Sequence, residues 1–353
     1  MKIIFLCLHW HIQSKSAKWF TDALASFAEV IEIPYDFSIV GKRELIEIKP
    51  DLIICWQTEE LVPYFLRRGI PAIAVPMADG CANNPNFYFA SAGLLGSIST
   101  SSFIANRFDH VKKQTYLIKY FPSLTEMESN FNSDNTTKRD VRFFTTYRSS
   151  KHAEANNLSK FIENNFSGKM HRHLAMDDYF EKPPYDLNVH SKYFSNVQDL
   201  NALLGRSTYF VTPRNSEGIG LSTLRAMAHG CIPIGVDGAG NCEYFKGNDL
   251  GITIPIKYFE KPHSLEEQKY IREWLEKQLT LVSEDSRRSL IKQHLKSGRM
   301  KFEIQLKGLE TYLTKIISTH SKNVKLFSRL STTMTYINKL PPRAKSLMNR
   351  FGL

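Results

Sequence analysis

The chain has 353 residues, 42% hydrophobic and 23% charged, with a net charge of +11. This composition fits a soluble globular protein, and the length favours two hydrophobic cores over one. No stretch approaches the roughly 18 consecutive apolar residues of a membrane-spanning helix, and His9 and His11 break the apolar start too early for a signal peptide.

In chain order, the N-terminal part alternates strand and helix patterns. Residues 2–8 (KIIFLCL) are apolar throughout, as in a strand covered on both faces. Helical spacing follows over 16–28, then strands at 30–34, 51–57 and 70–77, with helices at 42–50 and 59–69 between them. Strands at 96–102 and 115–121, separated by a helix over 103–108, complete a domain spanning 1–124. Residues 122–140 are rich in Ser, Asn and Thr and read as a linker.

A second alternating series covers 141–319. Strands are expected at 141–147, 169–176, 208–213, 231–236 and 251–256, with helices at 154–166, 199–207, 221–230, 264–279, 286–295 and 301–317. Alternating elements of this kind build parallel, doubly wound sheets, and two such domains leave a cleft at the carboxyl ends of their strands. His171 and His173 would share one face of a strand, but two histidines are too few for a metal site. Five cysteines without a C-x-x-C pair point to a reducing compartment, hence the cytoplasm.

The charge is concentrated at the end. Residues 320–353 hold seven of the Lys and Arg residues and no acid, so the rest of the chain carries +4. Leu326, Phe327, Leu330, Met334 and Ile337 recur at helical spacing among those cations. Such a basic amphipathic tail suits either an anionic membrane surface or packing on the protein with a solvated basic face. Nucleic acid is not expected, because no reading motif is present.

The most informative stretch is RNSEGIGLSTLRAMAHGCIP, residues 214–233. Gly218 and Gly220 allow an unusual backbone before a helix that opens at Leu221 and closes at Gly230. The opening offers unpaired N–H groups and a partial positive charge, which suit a phosphate. Glu217 would repel a phosphate but accepts hydrogen bonds from hydroxyls, as on a sugar. An acid capping or balancing a helix start is the plainer alternative.

This segment resembles the donor-site signature of GT4-type retaining GT-B glycosyltransferases (glycosyltransferase group 1). Glu217, Gly218, Gly220 and Leu221 match it, as do Ala226, Met227, Ala228, Gly230 and Pro233, and GAGNCEY places Glu243 at the acid of a following turn. The close match spans 193 to about 255. The resemblance implies two doubly wound, Rossmann-like α/β domains facing across a cleft, the first for the acceptor and the second for a nucleotide-sugar donor. It implies that Glu217 holds sugar hydroxyls, that the N–H groups of Gly218, Ile219, Gly220 and Leu221 meet the diphosphate, and that Asn196 and Val197 lie at the base. Arg148 and Lys151 resemble the pair that neutralises the leaving diphosphate. No separate cofactor and no metal are implied; the nucleotide sugar is the donor substrate.

Two departures stand out. The second acid of the signature, eight residues after Glu217, is Arg225, which accepts no hydrogen bonds; pairing with Glu217, contact with a phosphate and weakened donor binding are the alternatives. In VPMADG, Ala78 replaces a histidine and only Asp79 remains, while LHWHIQSKS stands in place of a glycine-rich first loop, putting His9 or His11 toward the acceptor. The expected function is transfer of a sugar from a nucleotide diphosphate to a glycan or lipid-linked acceptor in bacterial surface polysaccharide or lipopolysaccharide synthesis. A nucleotide-sugar epimerase or phosphorylase on the same fold, or a degenerate binding subunit, are the alternatives.

Overall fold

The computed structural model describes residues 1–35, 45–125, 139–147, 153–168, 170–174, 191–192, 197–212, 216–238, 240, 242–247, 249–255, 257 and 264–338. The chain forms two compact units, residues 1–120 with 301–353, and residues 121–300.

The first unit holds a six-stranded sheet of β1 (Lys2–Leu8), β2 (Glu29–Tyr35), β3 (Leu52–Trp56), β4 (Ala72–Val75), β5 (Ser97–Ser99) and β6 (Thr115–Leu117), in the order β2-β1-β3-β4-β5-β6. Every pairing is parallel. Ile3 through Cys7 and all of β3 are fully buried, so the unbroken apolar runs reflect cover on both faces. Phe5, Phe20 and Trp56 pack ring on ring with centroids 5.2–6.0 Å apart and tie the Lys18–Ala25 helix to the sheet.

The helical patterns at 286–295 and 301–317 are one continuous helix, Glu284–Lys322. From Lys301 onward it belongs to the first unit, so residues 301–319, grouped by pattern with the second domain, pack with the first. The cause is a set of buried contacts. Phe302 packs on Trp19 and Tyr120, and the Tyr116 hydroxyl donates to the Gln305 carbonyl at 2.7 Å. Tyr312 Oη accepts from Ser97 N–H at 3.1 Å and donates to Ser97 O at 2.8 Å, adding to the bonds that this fully buried residue makes with Gln114 O and Thr115 Oγ1. The approach requires Gly96, whose φ of +153° disfavours a side chain and whose Cβ would strike Ile316 and the Tyr312 hydroxyl.

The basic tail begins as a helix, Val324–Asn338, packed on the Val62–Leu66 helix. Phe327 and Ser331 are buried, and Ser328 Oγ donates to Arg67 O at 3.1 Å. Leu326 and Leu330 instead stay 52% and 40% exposed, beside exposed Lys325 and Arg329 on the same helix. The tail therefore packs on the protein by one stripe and shows a second apolar stripe to solvent.

The second unit holds β7 (Val141–Tyr147), β8 (Met170–Leu174), β9 (Ser191–Lys192), β10 (Ser207–Val211), β11 (Ile232–Asp237) and β12 (Ile252–Pro255), in the order β12-β11-β10-β7-β8-β9, again all parallel. Phe144, Phe210, Leu204, Ala226 and Cys231 form its core. The rings of His171 and His173 both stack on Phe144, and burial lowers the pKa of His173 to about 4. Buried Arg287 donates to the Asp249 and Gln278 carbonyls at 2.8 and 2.9 Å, tying the long helix to the segment entering β12 and to the end of the Leu265–Leu281 helix.

A buried acid lies just after β3. Glu59 is 5% exposed, and the Tyr88 hydroxyl donates to its Oε2 at 2.8 Å. Burial raises its pKa from 4.5 to about 8, against the opposing hydrogen bonds from backbone and Tyr88.

Two predictions follow from these packings. Tyr312→Phe removes two buried hydrogen bonds to Ser97, whose N–H keeps Gln114 O and whose C=O keeps Thr115 Oγ1, so it should lower stability to chemical denaturation by about 1 kcal/mol. A midpoint equal to that of the wild type would contradict the bridging role. Glu59 releases its proton near pH 4.5 when unfolded but near pH 8 when folded. Its contribution to stability is therefore full below pH 4.5 and falls as pH rises to about 8, by up to about 1.4 kcal/mol per pH unit. Glu59→Gln should gain on the wild type between pH 5 and 8 in thermal melts, and parallel pH curves would argue against a buried neutral carboxyl.

Candidate functional site

Each sheet changes direction once. In the second unit the chain moves outward from β7 to β8 and β9, then returns to β10 on the other side, so the loops after β7 and β10 diverge. Ligands of doubly wound sheets bind at such a point. Thr145 Oγ1 donates to Val211 O at 2.9 Å and ties the two strand ends together. Thr146, next along β7, is 6% exposed, and its Oγ1 has no hydrogen-bond partner among the described residues. A buried hydroxyl without a partner at a strand end is a signal that sequence alone did not give.

The β10 loop carries most of the expected donor residues. Glu217 is half-buried, and Gly218, Ile219 and Gly220 are buried. Gly220 is left-handed, with φ 72° and ψ 34°, and serves as the N-cap of the Leu221–Ala228 helix. A side chain there would be strained, and the Tyr244 ring lies 3.8 Å from where a Cβ would stand. Because the cap is glycine, the N-cap position brings no side chain to the first helical amides, and the first turn carries no acid. The helix start is thus an amide-lined, partially positive end with a carboxylate on the approaching loop.

Arg225 lies one turn in. It shares the half-buried face of the helix with Leu221 and Ser222, while the other five residues of the helix are buried. Side chains lean toward a helix N-terminus, which directs Arg225 back over the opening turn. Arg225 makes no ion pair or side-chain hydrogen bond among the described residues, so the pairing with Glu217 considered from sequence is not formed. The charge is felt nearby: His229 is held neutral, with a pKa near 4, by burial first and then by Arg225 and Arg139. Glu243 is half-buried in the turns after β11, where neighbouring Lys246 pairs with Asp237 at 2.6 Å. Val197 opens the Val197–Gly205 helix, and Arg148, Lys151 and Asn196 lie outside the described residues.

The first unit has its own switch, between β1 and β3. The chain leaving β1 is a short helix, His9–Ser14, in place of the expected loop. His9 is exposed, whereas His11 is 3% exposed. His11 Nε2 lies 2.6 Å from Gln57 Oε1, and Gln57 Nε2 donates to Asp79 Oδ1 at 3.0 Å. Asp79 thus shares a hydrogen-bonded cluster with residues from two other strand ends. Burial lowers the His11 pKa to about 4, outweighing the hydrogen bond to Gln57 and the charge of Asp79.

Among known proteins, residues 180–296 match the family model for glycosyl transferases group 1, which covers the candidate donor segment. The fold is similar to that of solved structures. Sucrose-phosphate synthase from Thermosynechococcus elongatus shares 14% identity over 90% of this chain and 100% of that one, with a TM-score of 0.66. Anabaena HepE, in complex with UDP and glucose, shares 12% identity over 89% and 100%, with a TM-score of 0.56. A glycosyltransferase from Rickettsia africae ESF-5 shares 10% identity over 90% and 98%, with a TM-score of 0.55. No curated protein gives a significant match. Residues 180–296 thus match a glycosyl transferases group 1 domain, and the two parallel-sheet units of the chain have the GT-B fold.

Proposed function

We propose that this enzyme transfers a sugar, with retention at the anomeric carbon, from a nucleotide-diphosphate donor bound in the second unit to a glycan or lipid-linked glycan bound in the first. The observation that carries the donor half is the glycine-capped start of the Leu221–Ala228 helix, with Glu217 on its approach and Arg225 without an ion pair or side-chain hydrogen bond among the described residues. The amides of Gly218 to Leu221 and the Arg225 guanidinium meet the diphosphate, and Glu217 accepts hydrogen bonds from sugar hydroxyls. Val197 and Asn196 lie toward the base, and Glu243 supports the sugar side. The bond from the anomeric carbon to the phosphate oxygen breaks as the acceptor hydroxyl attacks and yields its proton, leaving negative charge on the diphosphate. Arg148, Lys151, Arg225 and the helix amides neutralise that charge, the role a divalent cation fills in other transferases. HepE, a structural relative, holds UDP and glucose.

In the acceptor half, Asp79 accepts a hydrogen bond from the incoming hydroxyl. No helix among the described residues is long and apolar enough to cross a membrane. Leu326 and Leu330, with Lys325 and Arg329 beside them, suit the cytoplasmic face of an anionic bilayer, where a lipid-linked acceptor would lie. Surface polysaccharide or lipopolysaccharide assembly in bacteria fits that placement.

The test begins with nucleoside diphosphates. UDP, GDP or ADP at a hundred times its dissociation constant should stabilise the fold by about 2.7 kcal/mol in a thermal melt. Arg225→Gln should weaken the best diphosphate by about tenfold or more, with little effect on the corresponding nucleoside. Glu217→Gln should spare the free diphosphate and cost about a hundredfold in turnover of the sugar nucleotide. If no diphosphate binds, the chain is a binding subunit. If donor is converted to an epimer without an acceptor, or cleaved by phosphate, it is an epimerase or a phosphorylase.

A further inference from the structure

Four side chains at the strand ends of the first unit form one directed chain of hydrogen bonds. Ser16 Oγ lies 2.7 Å from His11 Nδ1, His11 Nε2 lies 2.6 Å from Gln57 Oε1, and Gln57 Nε2 lies 3.0 Å from Asp79 Oδ1. The direction of each bond follows from its far end. A carboxylate only accepts, so Gln57 turns its NH2 to Asp79 and its carbonyl oxygen to His11. That oxygen also only accepts, so neutral His11 carries its proton on Nε2. Nδ1 is then a bare acceptor, and the Ser16 hydroxyl donates to it. Trp10 lies flat on the His11 ring, centroids 3.5 Å apart, and covers the middle of the chain.

The hub of this chain is strained. Gln57 has φ 54°, in the left-handed region where a residue with a long side chain is disfavoured. Its backbone N–H donates to Val75 O at 3.2 Å, which helps hold that conformation at the end of β3. Strained residues persist where the surrounding structure over-determines them, and they gather at functional sites. Structure alone does not require a glutamine there, since glycine would adopt the same φ without penalty.

We propose that Gln57 is a positioning residue for glycosyl transfer, fixing the Asp79 carboxylate for the accepting hydroxyl by bridging it to His11. The inference rests on the proposed role of Asp79. Gln57 itself does not touch the reacting atoms. It sets which oxygen of Asp79 is held and which faces the substrate.

The experiment uses the full chain and water as acceptor, so that no acceptor need be known. Hydrolysis of UDP-, GDP- and ADP-linked hexoses is followed with the donor that best stabilises the fold. Gln57→Gly should melt at the wild-type temperature or above, because glycine relieves the backbone. Its kcat for donor hydrolysis should fall about tenfold or more, with the donor KM within twofold. Asp79→Asn should lose at least as much, and the double variant should lose no more than Asp79→Asn alone, because Gln57 acts only through Asp79. Gln57→Asn, which keeps the amide and tolerates this φ, should recover part of the loss. A normal kcat in Gln57→Gly beside an impaired Asp79→Asn overturns this inference and leaves the proposed function standing. Multiplying losses in the double variant, or a melting temperature that falls with activity, make Gln57 structural and also overturn it. A fully active Asp79→Asn removes the role on which the inference stands, and a wild type that turns over none of these donors refutes the proposed function as well.

Discussion

Both candidate sites depend on one constraint, the reversal of strand order in a parallel sheet. A connection between parallel strands must cross one face, and a right-handed crossover fixes which face. Where the order turns back, between β1 and β3 and again between β7 and β10, neighbouring loops leave toward opposite faces. Backbone amides and side chains at those strand ends then lie near the gap. That is why His11, Gln57 and Asp79, and in the other sheet Thr145, Thr146 and Glu217, collect at strand ends although they lie far apart in the chain.

The two units use this geometry with opposite electrostatics. The second offers positive character: helix amides behind a glycine cap, Arg225 within one turn, and a His229 kept neutral first by burial and then by the cations around it. The first offers a neutral imidazole, an amide and a carboxylate, with the Glu59 carboxyl raised by burial to a pKa near 8 and therefore uncharged at neutral pH. An anionic leaving group needs the first kind of lining, and a hydroxyl that must give up a proton needs the second.

The strands were largely legible in the sequence, most plainly β1, β3 and β4, where burial on both faces makes the runs uniformly apolar. Eleven of the twelve fall where strands are expected. The exception is β9, two polar residues whose pairing with His173 and Leu174 has no pattern to announce it. The Gly218–Leu221 signature was legible for a similar reason, since glycine and a helix start are local features. The unity of the Glu284–Lys322 helix was not, because Ser297 and Gly298 read as a break between two patterns. Nor was the bond from Gln57 to Asp79, 22 residues apart, or to His11, 46 residues away, because only the sheet order brings these strand ends together. Arg225 was legible as an anomaly, and that it has no ion pair or side-chain hydrogen bond among the described residues became visible only in the structure.

All five thiols are buried, three in the first sheet unit and two in the second. Burial pushes the pKa of Cys7 and of Cys242 up to about 12, so neither is a thiolate at neutral pH while folded. An alkylating reagent would therefore meet a silent protein until one half opens. Cys55 would answer for one half and Cys231 for the other, which makes the natural cysteines a built-in pair of clocks for the separate unfolding of the two halves.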